Sequence, residues 1–205
     1  MPDFYEVTKI EGKGFGCVAT QDITIGTLIL SENPQITVIN NGCEGFLAPT
    51  YVREVMKSFH SLEKADQEEY LKLSAAGSMW LNRQNKDTLC HDIASSIGLE
   101  FNLSGEKTLD ILFIYNSNLF EFGFGIQSSR FNHSCSSNAL ASKNEELQAI
   151  EIRAVSKIKK GAEITIDYNP DIAMKSKTKR QEFLLANMGF SCCCQLCTVG
   201  KMTTF

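Results

Sequence analysis

The chain is 205 residues long, the size of one elaborated domain or a domain carrying an insertion rather than of two full domains. With 43% hydrophobic and 21% charged residues it can bury a core, which excludes wholesale disorder. A net charge of −4 and a pI of about 5.5 speak against a broad electrostatic surface for nucleic acid, and no apolar run nears the ~20 residues of a membrane helix.

In chain order, residues 4–40 are expected to be β-structure. Phe4 to Ile10, Gly16 to Thr20, Gly26 to Ser31 and Gln35 to Ile39 are short β-branched or apolar runs separated by Gly, Asn, Asp and Pro. From residue 50 the period changes. Val52, Val55, Met56 and Phe59 follow helical spacing, residues 65–73 are rich in helix formers, and Ile93, Ile97, Phe101, Leu109, Leu112 and Phe113 carry the pattern on. A helical block over 50–117 is predicted. In Leu147 to Val155, Ile150, Ile152 and Ala154 alternate with Glu151 and Arg153, as in a half-buried strand. Ile164, Ile166 and Tyr168 share one face of the next strand, with Glu163, Thr165 and Asp167 on the other. A helix over Ser176 to Asn187 follows, and the basic Lys175, Lys177, Lys179 and Arg180 read as its solvated face. One short echo runs through the chain: Ile23-x-x-Gly26-x-x-Ile29 recurs as Ile158-x-x-Gly161-x-x-Ile164, too short to define a repeat architecture.

Eight cysteines stand out, four of them between Cys192 and Cys197. The start, Met1 to Glu6, has neither the basic residues nor the apolar stretch of a signal peptide, so the chain is expected inside the cell, in nucleus or cytoplasm, and its thiols on a metal rather than in disulfides. Cys192, Cys194 and Cys197 form C-x-C-x-x-C, which can supply three thiolates to a tetrahedral zinc; the fourth ligand must come from Cys17, Cys43, Cys90, Cys135 or a histidine. His133, within Arg130 to Asn138, is open to three roles: metal ligand, acid/base or structural histidine. Lys13-Gly14-Phe15-Gly16 is a weak G-x-G signal whose glycines admit close approach to backbone amides. The dinucleotide fingerprint and the P-loop are absent. Gly161 to Pro170 reads as a strand ending at Pro170, with Tyr168 on its apolar face near that end.

The order of these segments resembles the SET-domain protein lysine methyltransferases, which run from a KGxG turn through an NHSC segment and a GEExxxDY-like strand to a C-x-C-x-x-C tail. Here those segments are Lys13 to Gly16, Asn132 to Cys135, Gly161 to Tyr168 and Cys192 to Cys197. The likeness is nearest to the SET- and MYND-domain branch, without its MYND zinc finger, since only Cys43 lies where that finger is expected. It implies an α+β architecture, the β-clip of small curved sheets, in a domain over 1–175 with a helical insertion at about 45–117, and a post-SET helix and cysteine-rich tail over 176–205.

The resemblance also implies a function: transfer of methyl groups from S-adenosylmethionine to the ε-amine of a lysine in a protein, a histone tail among the candidates. Lys13, Gly14, Phe15 and Gly16 would meet the amino-acid end of the cofactor, Asn132 and His133 would hold it, Phe190 would pack on its adenine, and Tyr168 would line the substrate channel as the catalytic residue. Cys135 would join Cys192, Cys194 and Cys197 around one structural Zn2+, leaving Cys17, Cys43, Cys90 and Cys193 as free thiols. Three departures bear on product specificity: Ser137 replaces a usual proline, Met188 a frequent tyrosine, and Ile166 an aromatic that some relatives carry. A monomer acting on lysine-containing protein is expected, with no membrane and no nucleic-acid partner. The alternatives are a catalytically silent zinc-containing interaction module of the same family and, less compatible with the charge, a zinc-dependent nucleic-acid binder.

Overall fold

The computed structural model describes residues 3–38, 48–75, 88, 91–93 and 97–198; Cys43 and Cys90 lie outside them. The chain divides into two compact units, one of Met1–Asn33, Gln127–Ala186 and Phe190–Phe205, the other of Pro34–Ile126 and Asn187–Gly189.

Among the described residues the first unit holds seven strands: β1 (Tyr5–Ile10), β2 (Gly14–Ala19), β3 (Leu28–Glu32), β4 (Asn132–His133), β5 (Ala139–Asn144), β6 (Ala149–Ala154) and β7 (Glu163–Ile166). They form a four-stranded sheet of order β1-β2-β7-β4 and a three-stranded sheet of order β3-β6-β5. The short sequence echo has a structural counterpart. β2 pairs with β7 through Cys17↔Ile164, β3 with β6 through Leu28↔Arg153, and an isolated bridge joins Ile23 to Ile158 midway, all in one antiparallel register. Gly26 N–H donates to Ala154 O at 2.8 Å and Gly161 N–H to Ala19 O at 2.8 Å, so the two segments exchange equivalent bonds. Both turns need φ near +85° (Gly26) and +83° (Gly161), where a side chain would be strained. The echo is therefore a quasi-twofold pair of hairpin-plus-strand units (β1-β2-β7 and β5-β6-β3), held by backbone bonds that little sequence identity is needed to specify.

β6 departs from the half-buried strand expected of it. It is the central strand of its sheet, and Glu151 is only 6% exposed. Its carboxylate accepts from Asn144 Nδ2 at 2.8 Å and from Arg153 Nη2 at 2.7 Å. Side chains on both faces of β6 are buried, and pairing makes the buried charge tolerable. β7 ends at Ile166, earlier than the sequence pattern implied, so Tyr168 follows the strand rather than lying on it.

The second unit is helical and contains α1 (Pro49–His60), α2 (Lys64–Tyr70) and α3 (Gly105–Ser117). Pro49 opens α1, where a missing N–H costs nothing, and the Ser104 hydroxyl accepts from Lys107 N to cap α3. The predicted stripe is buried as expected: Val52, Val55, Met56 and Phe59 join Leu109, Leu112 and Phe113 in one apolar cluster. The tyrosines inside it have hydroxyl partners, Tyr70 to Ile111 O at 2.7 Å and Tyr115 to Val38 O at 2.6 Å. The predicted strand over Gln35 to Ile39 is absent over its described part: Ile36 makes only a single bridge, to Phe124. The first unit closes with α4 (Pro170–Ala173), α5 (Lys177–Met188, whose last two residues fall in the second unit) and α6 (Gln195–Thr198).

Candidate active site and metal centre

Parallel pairing of β4 with β7 sets Asn132 beside Thr165 and His133 beside Ile166. The segment entering β4 is fixed by buried Glu32, whose carboxylate accepts the backbone N–H of Gln127 at 3.0 Å and of Ser128 at 2.8 Å. Asn138 holds β7 from the other end of the loop, donating to Glu163 O at 2.8 Å and accepting from Thr165 N at 2.9 Å. A two-residue strand is thus placed by side chains acting as strand partners.

Lys13, Phe15, Gly16 and Asn132 converge on Glu163. The Lys13 ammonium lies 2.6 Å from Glu163 Oε2, and Asn132 Nδ2 donates to Glu163 Oε1 at 2.9 Å and to Phe15 O at 3.2 Å. Gly16 is buried, and a Cβ there would strike Asn132 Nδ2 and come within 2.9 Å of Ile10 Cγ1. Gly16 is therefore needed for close approach, while Gly14, at φ +79°, has open space around it. Phe15 is exposed.

His133, Tyr168 and Phe190 form an aromatic cluster, with centroids 5.3 Å apart for His133–Tyr168, 5.9 Å for His133–Phe190 and 6.3 Å for Tyr168–Phe190. His133 is 4% exposed, and both its ring nitrogens have protein partners. Nδ1 accepts the Tyr168 backbone N–H at 3.1 Å, and Nε2 lies 3.3 Å from Cys135 Sγ. An accepting Nδ1 puts the proton on Nε2, so the ring donates to sulfur. Burial lowers the histidine pKa, Asp167 opposes this, and Lys13 and Arg180 add to it, consistent with that neutral ring. The Tyr168 hydroxyl donates to Phe131 O at 2.9 Å. Burial, reinforced by Glu163 and Cys17, pushes its pKa up, so the phenol stays protonated and its oxygen keeps free lone pairs.

Beyond His133 lie the sulfurs of Cys135, Cys192, Cys194 and Cys197, all within 4.8 Å of one another. Cys135 Sγ and Cys197 Sγ are 3.6 Å apart. Zinc–thiolate bonds of ~2.3 Å put the sulfurs of a tetrahedron roughly 3.8 Å apart, so this donor set fits one zinc ion. Gln181 anchors the run, donating to Cys192 O at 2.6 Å and accepting Cys192 N–H at 2.9 Å. Burial opposes ionisation of Cys194, but hydrogen bonds from the Cys197 backbone, the Cys192 side chain and the Cys135 backbone outweigh it, drawing the thiol to about 7. Cys193 is exposed and Cys17 buried, both outside the cluster.

Five residues that hold the site were not singled out from sequence: Glu32, Glu163, Asn138, Gln181 and Arg180. Arg180 corrects the expectation of a solvated basic face, being 4% exposed. Its i, i+4 spacing to fully buried Leu184 was the available signal. Glu163, Asn138 and Gln181 offered none, since polar strand, turn and helix residues usually face solvent.

The glycine turn, the two-residue strand beside β7 and the following tyrosine lie within a segment that matches a known family. The SET domain family model matches residues 14–169, and the chain belongs to that family. Among curated proteins it is 27% identical over 199 residues to "Histone-lysine N-methyltransferase set5" of Schizosaccharomyces pombe, covering 97% of this chain and 52% of that protein. It is 29% identical over 221 residues to "Putative SET domain-containing protein L678" of Acanthamoeba polyphaga mimivirus, covering 92% of this chain and 75% of that one. In fold it is similar to the SET domain of LSMT solved with lysine and AdoHcy, at a TM-score of 0.62 and 14% identity over 93% of this chain and 53% of that one. A structure of Rubisco LSMT bound to AdoMet gives 0.56 at 14% identity, covering 94% and 53%. The chain thus spans about half the length of the S. pombe relative and of these LSMT structures. No helix among the described residues is long and apolar enough to cross a membrane.

Proposed function

We propose that this chain is an S-adenosylmethionine-dependent protein lysine methyltransferase with one structural zinc. Membership of the SET family supports the reaction class, and the S. pombe relative is itself named a histone-lysine methyltransferase. The observation that carries the reading is the Tyr168 hydroxyl, half-buried beside His133 and Phe190 and donating its proton to Phe131 O.

S-adenosylmethionine, when bound, supplies a methyl group on a sulfonium sulfur. The acceptor must be a neutral amine, yet lysine is ordinarily charged below a pKa of about 10.4; an apolar, partly dry site disfavours the ammonium. Tyr168 then acts by position. With its proton held by a carbonyl, its oxygen accepts an amine N–H and turns the nitrogen lone pair toward the methyl group, alignment being worth roughly 7–11 kcal/mol in well-oriented systems. Lys13, Gly14, Phe15, Gly16 and Asn132 would hold the amino-acid end of the cofactor, Phe190 its adenine, and His133, whose ring is occupied on both sides, would offer backbone rather than ring atoms. Cys135, Cys192, Cys194 and Cys197 would hold zinc, pinning the segment that carries Phe190. We assign the chain to the SET- and MYND-domain branch without its MYND finger, with the layout 1–175 and 176–205, acting as a monomer on a lysine-bearing protein; a histone tail fits the name of the S. pombe relative.

The test pairs a thermal shift with S-adenosylmethionine and mass spectrometry of a protein array incubated with methyl-labelled cofactor. The expected result is stabilisation at saturating cofactor and label on lysine. No stabilisation overturns the reading, and stabilisation without transfer to any protein favours the silent interaction module.

A further inference from the structure

Arg180 has no place in that mechanism, and its surroundings are unusual. It projects from α5, is 4% exposed, and its Nε is buried with no hydrogen-bond partner. Nη1 donates to Lys175 O at 2.6 Å, and Nη2 lies 3.6 Å from Cys197 Sγ. Among the described residues no carboxylate pairs with it. A guanidinium does not shed its proton, and a buried cation without a counter-charge is strongly unfavourable. Among the described residues, the sulfur cluster is the group that can meet it with negative charge once its thiols are ionised on a metal.

That cluster, once filled, has a defined charge. Four thiolates around a divalent zinc leave a net charge of about −2, itself costly to bury. A fixed guanidinium against Cys197 cancels about half of it and donates a hydrogen bond to a ligand sulfur, the kind of outer contact that orients metal ligands. His133 supplies a corresponding donor to Cys135, so the cage is approached from two sides.

We infer that Arg180 is the built-in counter-ion of the zinc centre and the positioning residue for Cys197, tying α5 to the metal. This rests on the zinc reading above. It follows that the charge and the fork geometry of Arg180 both matter, and that its loss loosens the metal rather than altering the substrate site directly.

The test uses the full chain purified with zinc. Elemental analysis is expected to give one zinc per chain, and a chromogenic chelator should extract it about 10–100-fold faster from Arg180→Met and Arg180→Gln than from wild type, with Arg180→Lys between them. In cobalt-substituted protein the thiolate-to-cobalt charge-transfer bands should shift to lower energy in both uncharged variants, since a sulfur relieved of its hydrogen bond donates charge more readily. A role confined to helix packing would leave those bands in place. Should the variants fail to fold, the wild type decides: the Arg180 guanidinium protons should be protected from exchange in 15N spectra with zinc bound and lose that protection on chelation. Absence of zinc from wild type overturns the zinc reading. One zinc with unchanged release rates and unchanged cobalt bands, or rapid guanidinium exchange with zinc in place, leaves that reading standing and overturns the role of Arg180.

Discussion

The two units are built on different physics. Among the described residues, the second buries a stripe of Val, Leu, Ile, Phe and Tyr, with tyrosine hydroxyls bonded to carbonyls. The first buries charge. Among the described residues, the buried polar or charged Glu32, Ser128, Arg130, His133, Ser134, Glu151, Thr165 and Arg180 all lie in it, and only Thr108 in the other. An apolar core confers stability through area removed from water and tolerates exchange of similar volumes. A polar core depends on every member having its partner, and is worth that constraint where side chains must be held to fractions of an ångström. The division thus separates the part that supports stability from the part that carries the proposed chemistry, and it can be broken from either side.

The largest effect is expected from metal removal. Chelation of zinc, or Cys135→Ser, should disorder the tail and abolish detectable S-adenosylmethionine binding, because a thiolate cage that folds a segment on binding metal loses it on release; circular dichroism and calorimetry measure both. Next comes Tyr168→Phe, predicted to lower turnover about 100-fold while cofactor affinity changes less than about threefold, since the hydroxyl aligns the amine and does not hold the cofactor. Equal turnover in the two proteins removes Tyr168 from the mechanism. Glu163→Gln should weaken cofactor binding about tenfold, the scale of one charge-assisted hydrogen bond, through release of Lys13 with Asn132 still able to pair. In the second unit, Leu112→Ala should cost about 2–5 kcal/mol of stability with cofactor affinity unchanged at a temperature where the variant is folded. A matching loss of affinity in Leu112→Ala contradicts the division of labour.

The same contrast governs what the sequence discloses. The helical stripe of Val52, Val55, Met56 and Phe59 reads directly as period 3.6, because apolar burial imprints composition. Cys135 and the tail cysteines were legible only through the order of family segments, since C-x-C-x-x-C lacks its fourth ligand and the partner is 57 residues away from Cys192. The supports of the site were not legible. Arg180 and Glu151 carry charges that composition assigns to solvent, and what accompanies them inside is a partner that composition does not reveal: the thiol cluster for Arg180, and Asn144 and Arg153 for Glu151. The quasi-twofold pairing of β2-β7 with β6-β3 hid for a related reason, as backbone bonds and two glycine turns specify it with few shared side chains. Strand length near Tyr168 was overestimated because alternation continues past the last ladder bond, where His133 Nδ1 takes over as acceptor of the Tyr168 N–H.

In the proposed mechanism a zinc-pinned tail completes the cofactor site of this SET domain. Titration calorimetry of S-adenosylmethionine into the zinc-loaded chain, the chelated chain and the chain reloaded with one equivalent of zinc tests it most directly. One-to-one binding that is lost on chelation and restored by zinc is the expected result. Equal affinity with and without metal, or no binding by the zinc-loaded protein, contradicts it.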